Sequence, residues 1–101
     1  MKLSIHATAS EANTAAADCL VAWLTQPYTR SLMVAGGNSP LEVYRRVAER
    51  RLQLSHLSVF ALDEYVGVPL AEPRNCANLL QRAVAQAWGL PSPQFHALSS
   101  L

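Results

Sequence analysis

Two short stretches of this sequence carry groups suited to chemistry. The first is Leu62-Asp63-Glu64-Tyr65-Val66-Gly67, directly after the apolar run Leu57-Ser58-Val59-Phe60-Ala61-Leu62. That run reads as a buried strand, and carboxylates at the carboxyl end of a strand lie where open α/β sheets bind ligands. Asp63 and Glu64 are consecutive, so on extended backbone they point to opposite sides. One is expected to face a ligand and the other to make structural contacts. Asp63 follows the strand directly and is the candidate catalytic residue. A carboxylate there can move a proton between adjacent carbons of a sugar phosphate, as aldose–ketose isomerisation requires. Tyr65 can pack over such a site or hydrogen-bond through its hydroxyl. The plainer alternative makes the acidic pair a loop start or a cap.

The second stretch is Gly36-Gly37-Asn38-Ser39-Pro40, which follows the apolar run Leu32-Met33-Val34-Ala35. Two glycines let the backbone turn sharply and approach a ligand closely. Ser39 reads as an N-cap, with Pro40 at the first helical position. The first turn of that helix would offer unpaired N–H groups to a phosphate or a sugar hydroxyl. Ser39 and Glu42 also fit a Ser-x-x-Glu capping box, which would consume two of those donors. The loop is neither a Walker A motif nor a G-x-G-x-x-G fingerprint. Together the two stretches describe a site for a small phosphorylated molecule.

The elements that must position them alternate. Leu3 and Ile5 suggest a short first strand. A helix is expected over 10–26, capped by Ser10, with Ala15, Cys19, Ala22 and Trp23 on one face and Pro27 as its stop. A strand follows over 32–35. The next helix spans 39–53, with Leu41, Tyr44, Val47 and Ala48 inward. A further strand covers 57–62, and the prolines of 68–74 exclude regular structure there. Asn75 can cap a third helix that ends at Gly89 before Pro91. Residues 94–98 begin a fourth strand. This order predicts a single α/β domain over 1–101, with a mainly parallel sheet and right-handed crossovers.

Composition narrows the classes. Of 101 residues, 50% are hydrophobic and 15% charged, which supports a core and argues against disorder. The net charge of +1 gives no footprint for nucleic acid. Arg45, Arg46, Arg50 and Arg51 are spaced as a solvated helix face. Cys19 and Cys76 have no metal-ligand spacing and read as buried free thiols of a reducing compartment. His6, His56 and His96 share no motif. Met1-Lys2-Leu3-Ser4-Ile5-His6 does not read as a signal peptide, and no run approaches the ~20 apolar residues of a membrane span. The expectation is a cytoplasmic protein without membrane contact.

At this point the sequence resembles the glucosamine-6-phosphate deaminase/6-phosphogluconolactonase superfamily. Gly36-Gly37-Asn38-Ser39-Pro40 followed by Tyr44 looks like the family's first glycine loop, close to the Gly-Gly-Ser-Thr-Pro form of the lactonases. Phe60-Ala61-Leu62-Asp63-Glu64-Tyr65-Val66-Gly67 with Pro69 looks like the deaminase motif. Lactonases usually carry Asp-Glu-Arg there, so Tyr65 favours the deaminase side. Leu62-Asp63-Glu64 and Asn75-Cys76 are also similar to galactosamine-6-phosphate isomerase relatives, and Pro73 to Leu90 matches in pattern. The resemblance implies a Rossmann-like three-layer sandwich, present here as its N-terminal portion. It implies Asp63 as the proton shuttle between the first two sugar carbons, and a substrate site formed by Gly36, Gly37, Asn38, Ser39, Glu64 and Tyr65. The substrate would be an amino-sugar 6-phosphate, converted to a ketose 6-phosphate and ammonia. No metal or redox cofactor is needed.

The family's Asp-Gly-His segment, further carboxylates and remaining phosphate-binding residues are not among these 101 residues. Catalytic groups act as units, so the chain is expected to be inactive alone. Its sheet is expected to expose an unpaired edge and an apolar face, and so to self-associate. The alternatives are a lactonase-type hydrolase, a remnant, or a non-catalytic sugar-phosphate-binding module. The last would need a helix-turn-helix elsewhere if it belonged to a transcription regulator.

Overall fold

A computed structural model describes residues 3–100. Eight elements follow one another. They are α1 (Ala9–Leu24), β1 (Ser31–Val34), α2 (Leu41–Glu49), β2 (Ser58–Ala61), α3 (Cys76–Leu80), a π-helical turn (Gln81–Gln86), a 3₁₀ turn (Ser92–Gln94) and β3 (Phe95–His96). The three strands pair in the order β1-β2-β3, and both pairings are parallel. Parallel neighbours need a crossover between them. Here α2 links β1 to β2, and α3 with its π-helical continuation links β2 to β3.

Strand alternation sorts the sheet into two faces. Val34, Val59 and Ala61 are buried, with Leu32 and Phe95 packed beside them. Ala17 and Leu24 of α1, Tyr44 and Val47 of α2, and Leu80, Val84 and Trp88 join them in one core. The helices therefore cover one side of the sheet. The other side carries a row that runs across the strands, Met33 beside Phe60 beside His96. Met33 is 61% exposed, and the Phe60 and His96 rings stack with centroids 4.7 Å apart. Two of the three layers of the expected α/β sandwich, a helical layer and a parallel sheet, are present among the described residues.

Several local expectations are corrected. Leu3 and Ile5 form no strand and are 87% and 85% exposed. Alternation alone does not make a strand when no described segment lies beside it to exchange hydrogen bonds. Thr8, not Ser10, caps α1: its Oγ1 accepts the Glu11 N–H. The inward face of α1 is Ala17, Leu20, Val21 and Leu24, while Cys19, Ala22 and Trp23 are exposed. From Cys19 to Leu24 the helix is apolar all round, so several stripes obey the same spacing and packing chooses between them. Cys19 is thus a surface thiol, and Cys76 alone of the two is buried.

The second helix starts at Leu41, not Ser39, and ends at Glu49 rather than 53. Pro40 takes the cap position and no side chain closes it, so the Ser39–Glu42 capping box does not form. Glu42 turns instead to Arg45 and Arg46, which hold its carboxyl below the usual range. Arg45 also pairs with Glu49, and Arg50 reaches Asp18 on α1. Arg45, Arg46 and Arg50 are thus each paired with a carboxylate of this chain, and Arg50 and Arg51 lie past the end of the helix. Met1 and Lys2, part of the targeting reading, lie outside the described residues. No helix among the described residues is long and apolar enough to cross a membrane.

Candidate functional site

The two chemistry-bearing stretches meet at the carboxyl edge of the sheet. Val34 is level with Ala61, and the Leu62 N–H donates to the Val34 carbonyl at 2.8 Å. The Gly36–Gly37 loop and Asp63 therefore follow neighbouring parallel strands at the same end of the sheet. Gly37 has φ +85°, the left-handed region where a Cβ is strained. Gly36 is confined by a neighbour rather than by its backbone angle. A Cβ built on it would lie 3.0 Å from Cys76 Sγ, so the start of α3 packs directly on the loop.

The loop is anchored from below. The Tyr44 hydroxyl donates to the Ala35 carbonyl at 2.7 Å. Trp88 meets the Tyr44 ring edge-on at 6.0 Å, and its Nε1–H donates to the Tyr44 carbonyl at 3.0 Å. Burial raises the Tyr44 hydroxyl's pKa, so it remains a protonated donor. Asn38 and Ser39 lie exposed at the loop tip, with the Leu41 N–H donating to the Asn38 carbonyl at 3.4 Å.

Asp63 and Glu64 diverge as consecutive residues on extended backbone should. Asp63 is exposed at the strand end. Glu64 is half-buried and turns inward: Oε2 accepts the Cys76 N–H at 2.7 Å and the Tyr65 N–H at 3.0 Å, and Oε1 accepts the Ala77 N–H at 2.9 Å. Burial alone would raise its pKa, but those three donors outweigh it and hold the carboxyl below its ordinary value. Burial raises the Cys76 thiol, and the neighbouring charges of Glu64 and Asp63 add to that rise. Cys76 is therefore a packed, protonated thiol and a poor nucleophile.

Tyr65 is 55% exposed and starts the turn that runs to Val68. Asn75, only 1% exposed, holds that turn by donating to the Val68 carbonyl at 2.8 Å. Its Oδ1 accepts the Asn78 N–H at 2.9 Å, the cap expected of it. Gly36, Gly37, Asp63 and Glu64 are thus brought to one edge, with Asn38, Ser39 and Tyr65 around it. Three contributors were not singled out as site residues from the sequence. Cys76 abuts the loop, Asn75 clasps the following turn, and Trp88 braces Tyr44. The unfilled need for an acceptor at the Cys76 and Ala77 N–H groups was the available signal. Among the described residues no three His, Cys, Asp or Glu side chains converge as metal ligands would.

Chemically, such an edge offers backbone groups of a glycine loop to an anionic or hydroxyl-rich ligand, with one exposed carboxylate, Asp63, on the next strand. The sequence profile of glucosamine-6-phosphate isomerases/6-phosphogluconolactonase matches residues 4–101. A glucosamine-6-phosphate deaminase of Pseudarthrobacter chlorophenolicus is 35% identical over 85 residues, covering 81% of this chain and 33% of its own length. One from Rhodococcus opacus is 40% identical over 85 residues, covering 80% of this chain and 32% of its own. The chain thus spans about a third of the length of these curated relatives.

Among solved structures, a monomeric glucosamine-6-phosphate deaminase superposes with a TM-score of 0.89 at 19% identity, covering 99% of this chain and 43% of its own. A 6-phosphogluconolactonase of Thermotoga maritima gives 0.75 at 20% identity, covering 98% and 45%. At these identities the likeness is one of fold. With nearly the whole chain matched by one profile, and its fold found in both a deaminase and a lactonase, the chain belongs to the glucosamine-6-phosphate isomerase/6-phosphogluconolactonase family.

Proposed function

We propose that this chain is the N-terminal part of an amino-sugar-6-phosphate deaminase/isomerase and is inactive by itself. The observation that carries the reading is Asp63, an exposed carboxylate two residues past the end of β2, on the strand next to the one that leads into the Gly36–Gly37 loop. On this reading the loop holds the sugar phosphate, and Asn38, Ser39 and Tyr65 line its approach. Asp63 takes the proton from C2 of the ring-opened amino sugar and returns it to C1. The amine nitrogen gives a proton to O1, so the aldehyde becomes an alcohol and C2 becomes an imine. Addition of water there releases ammonia and leaves a ketose 6-phosphate. The free cysteines fit a reducing, cytoplasmic setting.

A lactonase-type hydrolase is the second reading, favoured by the Gly-Gly-Asn-Ser-Pro loop and disfavoured by Tyr65. Thermal shift separates the two. The deaminase reading expects glucosamine or galactosamine 6-phosphate to raise the melting temperature more than 6-phosphogluconate does. The reverse order supports the lactonase. Ammonia release is then measured with the chain and with Asp63→Asn. No release from either is expected. Release that disappears in Asp63→Asn keeps the chemistry and overturns the claim of inactivity.

A further inference from the structure

Glu64 stands beside the candidate catalytic carboxylate, yet both of its oxygens are already engaged. Two of its three donors, the Cys76 and Ala77 N–H groups, belong to the first turn of α3. The carboxylate therefore closes the whole irregular loop between β2 and α3 at its two ends. Asn75 clasps the same loop midway, through the Val68 carbonyl. The consequence reaches the next strand, because Cys76 is the residue that packs on Gly36. Glu64 is thus one peptide bond from Asp63 on one side. On the other it is one hydrogen bond and one van der Waals contact from the glycine loop.

We propose that Glu64 is a positioning residue: by pinning the first turn of α3 to the end of β2, its carboxylate fixes the spacing between Asp63 and the Gly36–Gly37 loop. The meaning of that spacing for catalysis rests on the sugar-phosphate reading above; the geometry does not. A neutral amide cannot replace the carboxylate, because one of its two positions donates where the helix N–H groups need an acceptor. The charged and titratable neighbours are Asp63 and the Cys76 thiol, which Glu64 pushes up through a hydrogen bond and its charge.

The test uses the 101-residue chain, ¹⁵N-labelled, as itself and as Glu64→Gln. In the variant the Cys76 and Ala77 amide signals move because they lose their acceptor. Positioning predicts that the Gly36 and Gly37 signals move as well, and that alkylation of Cys76 shifts to lower pH. It also predicts that glucosamine 6-phosphate affinity falls at least tenfold. A cap without positioning would move Cys76 and Ala77 and leave the glycine signals and the affinity unchanged, which overturns the proposal. Should Glu64→Gln fail to fold, Asp63→Asn is titrated with acid, so that Glu64 is the carboxylate protonated beside the loop. Gly36 and Gly37 signals that follow Glu64 support positioning, and signals that do not respond overturn it. If no form of the chain binds glucosamine 6-phosphate, the sugar-phosphate reading fails, and the amide and thiol results still decide the role of Glu64.

Discussion

Adding one methyl group to Gly36 places a carbon 3.0 Å from Cys76 Sγ, closer than side chains tolerate without movement. Gly36→Ala should cost about 1–3 kcal/mol as overpacking. Cys76→Ala in the same chain should recover part of it, read as melting temperature. Gly37→Ala fails for a different reason. Its φ of +85° costs a Cβ-bearing residue about 1–2 kcal/mol, and no Cys76 substitution should rescue it. Glu64 gives a pH dependence whose sign is fixed. Its folded pKa lies below the ordinary 4.5, so the unfolded chain takes up the proton first as pH falls. The stability it contributes is present above about pH 4.5 and is lost as the pH falls through the lower folded value. Urea midpoints measured across that range should fall in the native chain and fall less in Glu64→Gln.

At the scale of elements, the sequence was most legible where one pattern had one solution. The apolar runs at 32–35 and 57–62 became β1 and β2 within a residue of their expected edges. Asn75 caps α3 as its side chain suits it to do, and Gly89 ends the helix with φ +71°. Legibility failed where local chemistry allowed two answers. Ser39 could cap a helix on spacing, but the chain placed Pro40 there and left Glu42 to its arginines. The inward face of α1 differs from the expected one because its last six residues, Cys19 to Leu24, are all apolar. The fourth strand shortened to Phe95–His96. In the site, the acidic pair and glycine loop were visible as types and spacing. What joins them was not, because the Glu64–Cys76 contact depends on how a proline-containing loop returns to the sheet. Tyr44 is the element-scale test. Tyr44→Phe removes the hydrogen bond to Ala35 and should cost about 1 kcal/mol. That is a fall of about 4–8 °C for a domain of this size, with the largest amide shifts at Ala35 to Gly37.

At the largest scale, one face of the sheet is uncovered among the described residues. Met33, Phe60, Leu62 and Leu98 are exposed on or beside a sheet whose other face is fully packed. The outer edge of β1 carries Ser31, Leu32, Met33 and Val34, with none of the charges or prolines that keep natural edges apart. We therefore expect copies of this chain to associate through that edge. The apparent mass in sedimentation should rise with concentration, and Met33→Lys should lower it without lowering the melting temperature. A strictly monomeric chain at all concentrations would refute this.

The central claim is that the Gly36–Gly37 loop and Asp63 form one ligand site. Its most direct test is a titration of the ¹⁵N-labelled chain with glucosamine 6-phosphate, followed amide by amide, with inorganic phosphate in parallel. Saturable shifts concentrated at Gly36, Gly37, Asn38, Ser39 and Asp63 are expected, larger for the sugar phosphate than for phosphate alone. Shifts that are absent there, or that gather on another face of the molecule, would contradict it.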